Sequence, residues 1–82
     1  MKTREVFYMT LYELVNNTTI QGNVDIVYYV DGEETASRLF RHVEDLASSI
    51  ADLPEGWEDC EVKYMWASGD GYLHIEIYEE EE

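Results

Sequence analysis

Thr35-Ala36-Ser37-Arg38-Leu39-Phe40-Arg41-His42-Val43-Glu44-Asp45-Leu46-Ala47-Ser48-Ser49-Ile50-Ala51-Asp52-Leu53 is the stretch on which the fold of this chain turns. Ala36, Leu39, Phe40, Val43, Leu46, Ala47, Ile50 and Leu53 recur at the spacing of an amphipathic helix, with Arg38, Arg41, Glu44, Asp45 and Ser48 opposite. That periodicity fits one long helix. Just upstream, however, Asp31-Gly32 is a strong hairpin turn and invites a returning strand. On that reading Thr35–Arg41 pairs back on the preceding strand, and a shorter helix follows over Val43–Ala51. Pro54 and Gly56 end either version.

The flanks are less ambiguous. Before the turn, Val24, Ile26, Tyr28 and Val30 alternate with Asp25, Val27 and Tyr29, the pattern of a strand with one buried face. Further upstream, Thr10-Leu11-Tyr12-Glu13 is a capping box, with Met9 and Leu14 at the staple positions. It predicts a helix over 11–17, preceded by an extended Arg4–Met9. Downstream, Glu61–Ala67 and Tyr72–Tyr78 are joined by Ser68-Gly69-Asp70-Gly71 as a β-hairpin. Val62, Tyr64 and Trp66 share one face of its first strand and read as core. Tyr72, His74, Glu76 and Tyr78 share the outer face of its second, with Lys63 and Met65 beside them.

Composition bounds the rest. The 82 residues hold 19 Asp or Glu against 5 Lys or Arg, a formal charge of −14, yet 45% are hydrophobic. An acidic disordered segment lacks apolar residues to bury, so the charge is displayed on a folded surface. Residues 1–78 form a single domain and 79–82 an acidic C-terminal tail. Such a surface repels nucleic acid, whose affinity rests on cations that neutralise phosphates, and favours a basic partner. Cys60 is the single cysteine, which fits a reducing, cytoplasmic setting. Met1-Lys2-Thr3-Arg4 and the short apolar stretch after it do not read as a secretion signal, and no stretch is long enough to span a membrane.

Several of these segments together resemble a known group. A T-L-x-E-L helix, Thr19-Ile20-Gln21-Gly22-Asn23 leading into a strand, an Asp-Gly turn, Val43-Glu44-Asp45-Leu46 and a final Leu73–Ile77 of the form L-x-I-E-I are similar to small acidic accessory proteins of phages and conjugative elements of Gram-positive bacteria. The resemblance implies a strand over the segment matching residues 34–41 and brings no catalytic residue with it. The expected fold is therefore α+β: a small antiparallel sheet of two β-hairpins, with a short N-terminal helix and a second helix packed on one face.

Three kinds of site are weighed on this frame. Asp52, Glu55, Glu58, Asp59 and Glu61 lie within ten residues that contain no cation, and Asp31, Glu33 and Glu34 crowd the first turn. Sharing a face with the tail, they would imitate duplex phosphate to a nucleic-acid-binding or defence protein; alternatively the acidity is only a solvation device. Tyr72 and Tyr78 would instead anchor an adaptor or a homodimer. No catalytic, metal or cofactor site is expected. Asp31-Gly32-Glu33-Glu34 and Asp70-Gly71 lack the ligand spacing of a calcium loop, and Cys60, His42 and His74 are isolated rather than paired. His42 near Glu44 and Asp45, or His74 near Glu76, are adjacencies expected by chance among so many acids, and Asp59 and Glu61 disfavour a Cys60 thiolate.

Overall fold

A computed structural model describes residues 9–79 of the chain. Helix α1 (Leu11–Asn17) is followed by strands β1 (Gly22–Val30) and β2 (Glu33–Val43). Three single-turn 3₁₀ helices come next, at Leu46–Ser48, Ile50–Asp52 and Trp57–Asp59, and strands β3 (Glu61–Ala67) and β4 (Tyr72–Tyr78) complete the fold. The fold is α+β, as the pattern predicts. Thr10 caps α1 reciprocally: its hydroxyl accepts from the Glu13 amide and the Glu13 carboxylate accepts from the Thr10 amide, each at 3.1 Å. The extended segment expected before it, and the end of the tail, fall largely outside the described residues.

The Asp-Gly turn wins over the helical period. Asp31 and Gly32 both have positive φ, 56° and 80°, as a two-residue hairpin turn with the right twist demands. The strand they launch runs to Val43, so the two hairpins form. The expected helix over Val43–Ala51 does not. Asp45 caps the first 3₁₀ turn by accepting from the Ala47 amide at 3.2 Å, and the Ser48 hydroxyl donates to the Asp45 carbonyl at 2.8 Å. Serines that bond their own backbone are poor helix formers, and Pro54 supplies no amide to extend a helix. Leu46, Ile50, Leu53 and Trp57 nonetheless all point inward and are buried. The helical spacing of the sequence therefore reports inward-facing side chains along a chain of tight turns.

A second correction concerns the sheet. Its order is β2-β1-β4-β3, with β1 parallel to β4 and the other two pairs antiparallel. The sheet is mixed because the stretch between the hairpins crosses one face and delivers β3 to the far edge, after which β4 returns beside β1. Apolar content selects the middle places: Val24, Ile26, Ile75 and Ile77 of β1 and β4 are fully buried, while the edge strands carry Glu33, Arg38, Arg41, Glu61 and Lys63. One face packs against α1 and the 3₁₀ turns, with Leu11, Leu14, Val15, Ile20, Leu46, Ile50, Leu53, Trp57 and Cys60 in that core. No helix or turn among the described residues covers the other face, the open face of the sheet.

The third correction is of register. A bulge between Val62 and Tyr64 inserts Lys63, so Val62 lies opposite Ile77 on the covered side while Tyr64 and Trp66 lie opposite Glu76 and His74 on the open side. Tyr64 and Trp66 are 58% and 48% exposed and are not core. Met65 turns to the other face, opposite Ile75.

Candidate functional site

Because β1 and β4 run parallel and their neighbours antiparallel to them, four strand ends meet at one end of the sheet: the C-termini of β1 and β4 and the N-termini of β2 and β3. That end gathers carboxylates far apart in sequence. Glu33 and Glu34 pair with Val30 and Tyr29, Asp31 forms the turn between them, and Glu61 pairs with Tyr78. The Glu79 amide donates to the Tyr29 carbonyl at 3.0 Å, which fixes the start of the tail there.

Beneath this rim, on the covered side, is a cleft of about 260 Å³ lined by Tyr28, Glu55, Gly56, Asp59, Cys60 and Glu79. The Tyr28 ring stacks on Trp57 at 4.7 Å, Arg38 lies 6.0 Å over the same indole, and the Tyr28 hydroxyl donates to Glu79 Oε1. That hydrogen bond first, then burial and the Glu79 charge, pushes the Tyr28 phenol up to about 12. Cys60 is pushed up to about 11, chiefly by burial and then by the Glu79 and Asp59 charges. Its thiol donates to the Gly56 carbonyl at 3.5 Å, and Gly56 supplies the left-handed residue, φ 94°, that starts the Trp57 turn. Cys60 is thus a neutral core residue at ordinary pH, for a stronger reason than its sequence neighbours alone.

The predicted acidic residues therefore divide. Glu55, Asp59, Glu61, Asp31, Glu33 and Glu34 belong to the one end, with Glu55 and Asp59 in the cleft. Asp52 and Glu58 ride on the 3₁₀ turns outside the cleft lining. Glu79, the first residue of the acidic tail, joins them in the cleft, and Tyr28 is a member that sequence reasoning missed. Tyr28 reads as an ordinary core-face position, and nothing local says that β4 ends beside β1.

The open face has a different chemistry. Its central row is Leu39, Asp25, His74 and Trp66, one residue from each strand. Trp66 stacks on His74 at 4.2 Å and donates its indole N–H to Glu76 Oε2 at 2.9 Å. Tyr78 stacks on Tyr29 at 4.5 Å and meets the edge of Tyr64 at 6.2 Å, with Lys63 Nζ 5.1 Å over its ring. Arg41 Nε donates to the Tyr72 hydroxyl oxygen at 2.6 Å. The predicted aromatic pair Tyr72 and Tyr78 does lie here, but half-buried, and the more exposed aromatics are Tyr64 and Trp66.

His74 joins Asp25 Oδ2 through Nδ1 at 3.1 Å and Ser68 Oγ through Nε2 at 3.0 Å. This is the order of an acyl-transfer triad, missed in the sequence because the three residues come from separate segments. The Ser68 hydroxyl, however, donates to Asp70 rather than to His74, the reverse of what a general base at His74 needs. Asp70 also accepts from the Tyr72 amide at 3.0 Å, and the Ser68 bond first, then this one, holds its carboxyl below the ordinary range. The line buttresses the 68–71 loop against the sheet. The residues weighed as a metal set by type lie apart: His42 sits at a β2 bulge with its amide donating to Asn23 Oδ1 at 2.9 Å, Cys60 in the core and His74 on the opposite face. Among the described residues no helix is long and apolar enough to cross a membrane.

Comparison with known protein families, with curated proteins and with solved structures found no match.

Proposed function

We propose that this chain is a non-catalytic acidic binding protein that engages a basic protein surface through the carboxylate-rich end of its sheet. The observation that carries the reading is the convergence of Asp31, Glu33, Glu34, Glu55, Asp59, Glu61 and Glu79 at four strand ends, with Arg38 and Lys63 turned to Trp57 and Tyr78 rather than paired with them. Adjacent strand ends space these charges on the order of 5 Å apart, dense enough to stand in for phosphates before a groove that evolved to hold them. The partner class is a nucleic-acid-binding or defence protein, and the setting is the cytoplasm of a host carrying a phage or conjugative element, in keeping with the resemblance noted above.

The test is capture of partners on the immobilised chain at ~50 and ~500 mM salt, a range across which exposed charge pairs are progressively screened. The comparison is a variant carrying Glu55→Gln, Asp59→Asn and Glu79→Gln. The reading expects basic proteins retained by the parent at low salt, eluted at high salt, lost by the variant, and displaced from their DNA by the parent. Retention that ignores both salt and the three substitutions, yet is abolished by Tyr72→Ala or Tyr78→Ala, would replace it. A second reading is then favoured, that of an adaptor or oligomerising subunit with the acidity serving solubility, and the observation behind it is the uncovered aromatic face.

A further inference from the structure

We infer that the open face of the sheet is a self-association surface, on which a second copy of this chain packs sheet to sheet. A sheet face that presents stacked aromatic rings to water is costly, and three of the six exposed large hydrophobics among the described residues lie on this one: Leu39 is 55% exposed on β2, and Tyr64 and Trp66 are exposed on β3, with His74, Tyr78, Tyr29 and half-buried Tyr72 between them. Exposed contiguous apolar patches mark interaction sites.

Charge selects the occupant. The chain carries −14, but across the middle of this face Asp25 and Glu76 are matched by Arg41 and Lys63, both cations lying against tyrosines of the same face. Glu34 and Glu61 stand at its border with the acidic end, and Asp70 stands at the opposite border, 3.9 Å from His74 Nε2. A polyanion is repelled by the rest of the molecule, and a strongly basic partner finds no net charge here. What the face matches is another neutral aromatic surface, and a second copy supplies one by symmetry. The lowest-repulsion arrangement puts the two-fold axis in the plane of the face and across the strands. The strands of the two copies then run oppositely, and the acidic ends lie at opposite ends of the sandwich.

Area sets the strength. Four strands about 4.8 Å apart and seven residues long at about 3.3 Å each give roughly 450 Å² per copy, hence about 900 Å² in total. That is just short of the ~1,000 Å² expected of a specific interface. The dimer is accordingly reversible and depends on concentration. Its salt response has a definite sign: screening relieves repulsion between two acidic bodies, so salt strengthens the dimer, whereas it weakens binding of a basic partner at the acidic end.

Sedimentation equilibrium of the full chain from ~5 µM to ~1 mM, at ~50 and ~500 mM salt, tests this directly. The expected result is a mass that rises from monomer toward dimer with concentration and rises further with salt. Trp66→Lys and Leu39→Lys should each weaken association by at least about tenfold, and Glu55→Gln with Asp59→Asn should not weaken it. Monomer mass at ~1 mM in high salt, or association untouched by both lysine substitutions, overturns the proposal. Should the lysine variants fold poorly, acrylamide quenching of the parent decides: Trp57 is 5% exposed and contributes a constant background. Trp66 becoming protected as concentration rises supports the dimer, and concentration-independent quenching refutes it. Failure here leaves the acidic-end reading intact, since that reading is tested by the Glu55, Asp59 and Glu79 variant.

Discussion

Cys60 and Tyr28 show how far a single residue's chemistry is set by its neighbours in space. The thiol is buried among Trp57, Tyr28 and the carboxylates of the cleft, which together make its charged form costly. With its pKa raised from 9.0 to about 11, the thiolate fraction at pH 8 falls about a hundredfold. Native protein should therefore react with a thiol-specific disulfide reagent at least that much more slowly than protein unfolded in urea, a difference read from the absorbance time course. Both raised values also fix a sign for stability. A group whose folded pKa lies above its unfolded one contributes stability that is complete below the unfolded value and is lost as pH climbs through the folded value. Stability measured by urea titration should therefore fall between about pH 9 and 11 on account of Cys60, and between about pH 10 and 12 on account of Tyr28. Tyr28→Phe should reduce the second loss, to which the raised phenols of Tyr29 and Tyr78 also contribute, and leave the first. Asp70 works at the opposite extreme: its lowered carboxyl contributes stability above its ordinary value of 3.8 and loses it as pH falls further.

At the scale of elements, the first hairpin and the 3₁₀ segment are held by different forces. In the turn, Gly32 has φ 80° and open space where a Cβ would stand, so Gly32→Ala costs conformational strain alone, about 1 kcal/mol by chemical denaturation. The 3₁₀ segment has little intrinsic preference and depends on its anchors. Leu46 is fully buried, and its amide donates to the Ile20 carbonyl at 2.9 Å, so the segment is tied to the chain entering β1. Leu46→Ala should cost about 2–5 kcal/mol, by far the larger of the two effects. Should both substitutions cost the same, the packing described for this segment would be wrong. The bulge at Lys63 is the third device: by adding one residue to β3 it sends Tyr64 and Trp66 to the open face and gives that face its aromatic character.

For the whole molecule the governing quantity is the net charge of −14 on 82 residues. Carboxylates gathered at one end repel each other in the folded state more than in an expanded chain, so added monovalent salt should raise the melting temperature at neutral pH. An unchanged or lower melting temperature would show that the acidic end is neutralised from within. The same charge predicts no saturable shift of duplex DNA, single-stranded DNA or RNA in low-salt gel titrations at micromolar protein. Binding there would undo the electrostatic reasoning for the acidic end and the choice of occupant for the open face together.

Local chemistry determined a great deal by itself. The capping box at Thr10 and Glu13, the Asp31-Gly32 turn and the alternation in Glu61–Ala67 and Tyr72–Tyr78 each depend on residues within a few positions of one another, and α1, the first turn and the second hairpin formed where those residues place them. The inward set Leu46, Ile50, Leu53 and Trp57 was legible as a buried stripe but not as 3₁₀ turns, because a stripe records which side chains face the core and not how the backbone turns between them. Three things were decided only by tertiary structure: the parallel pairing of β1 with β4, the bulge that exposes Tyr64 and Trp66, and the meeting of Glu79 and Tyr28 with Glu55 and Asp59. Each joins segments whose relative position is fixed by where the chain crosses the sheet, and that crossing is chosen by the burial of β1 and β4 together, a property of the assembled core that no single stretch of sequence carries.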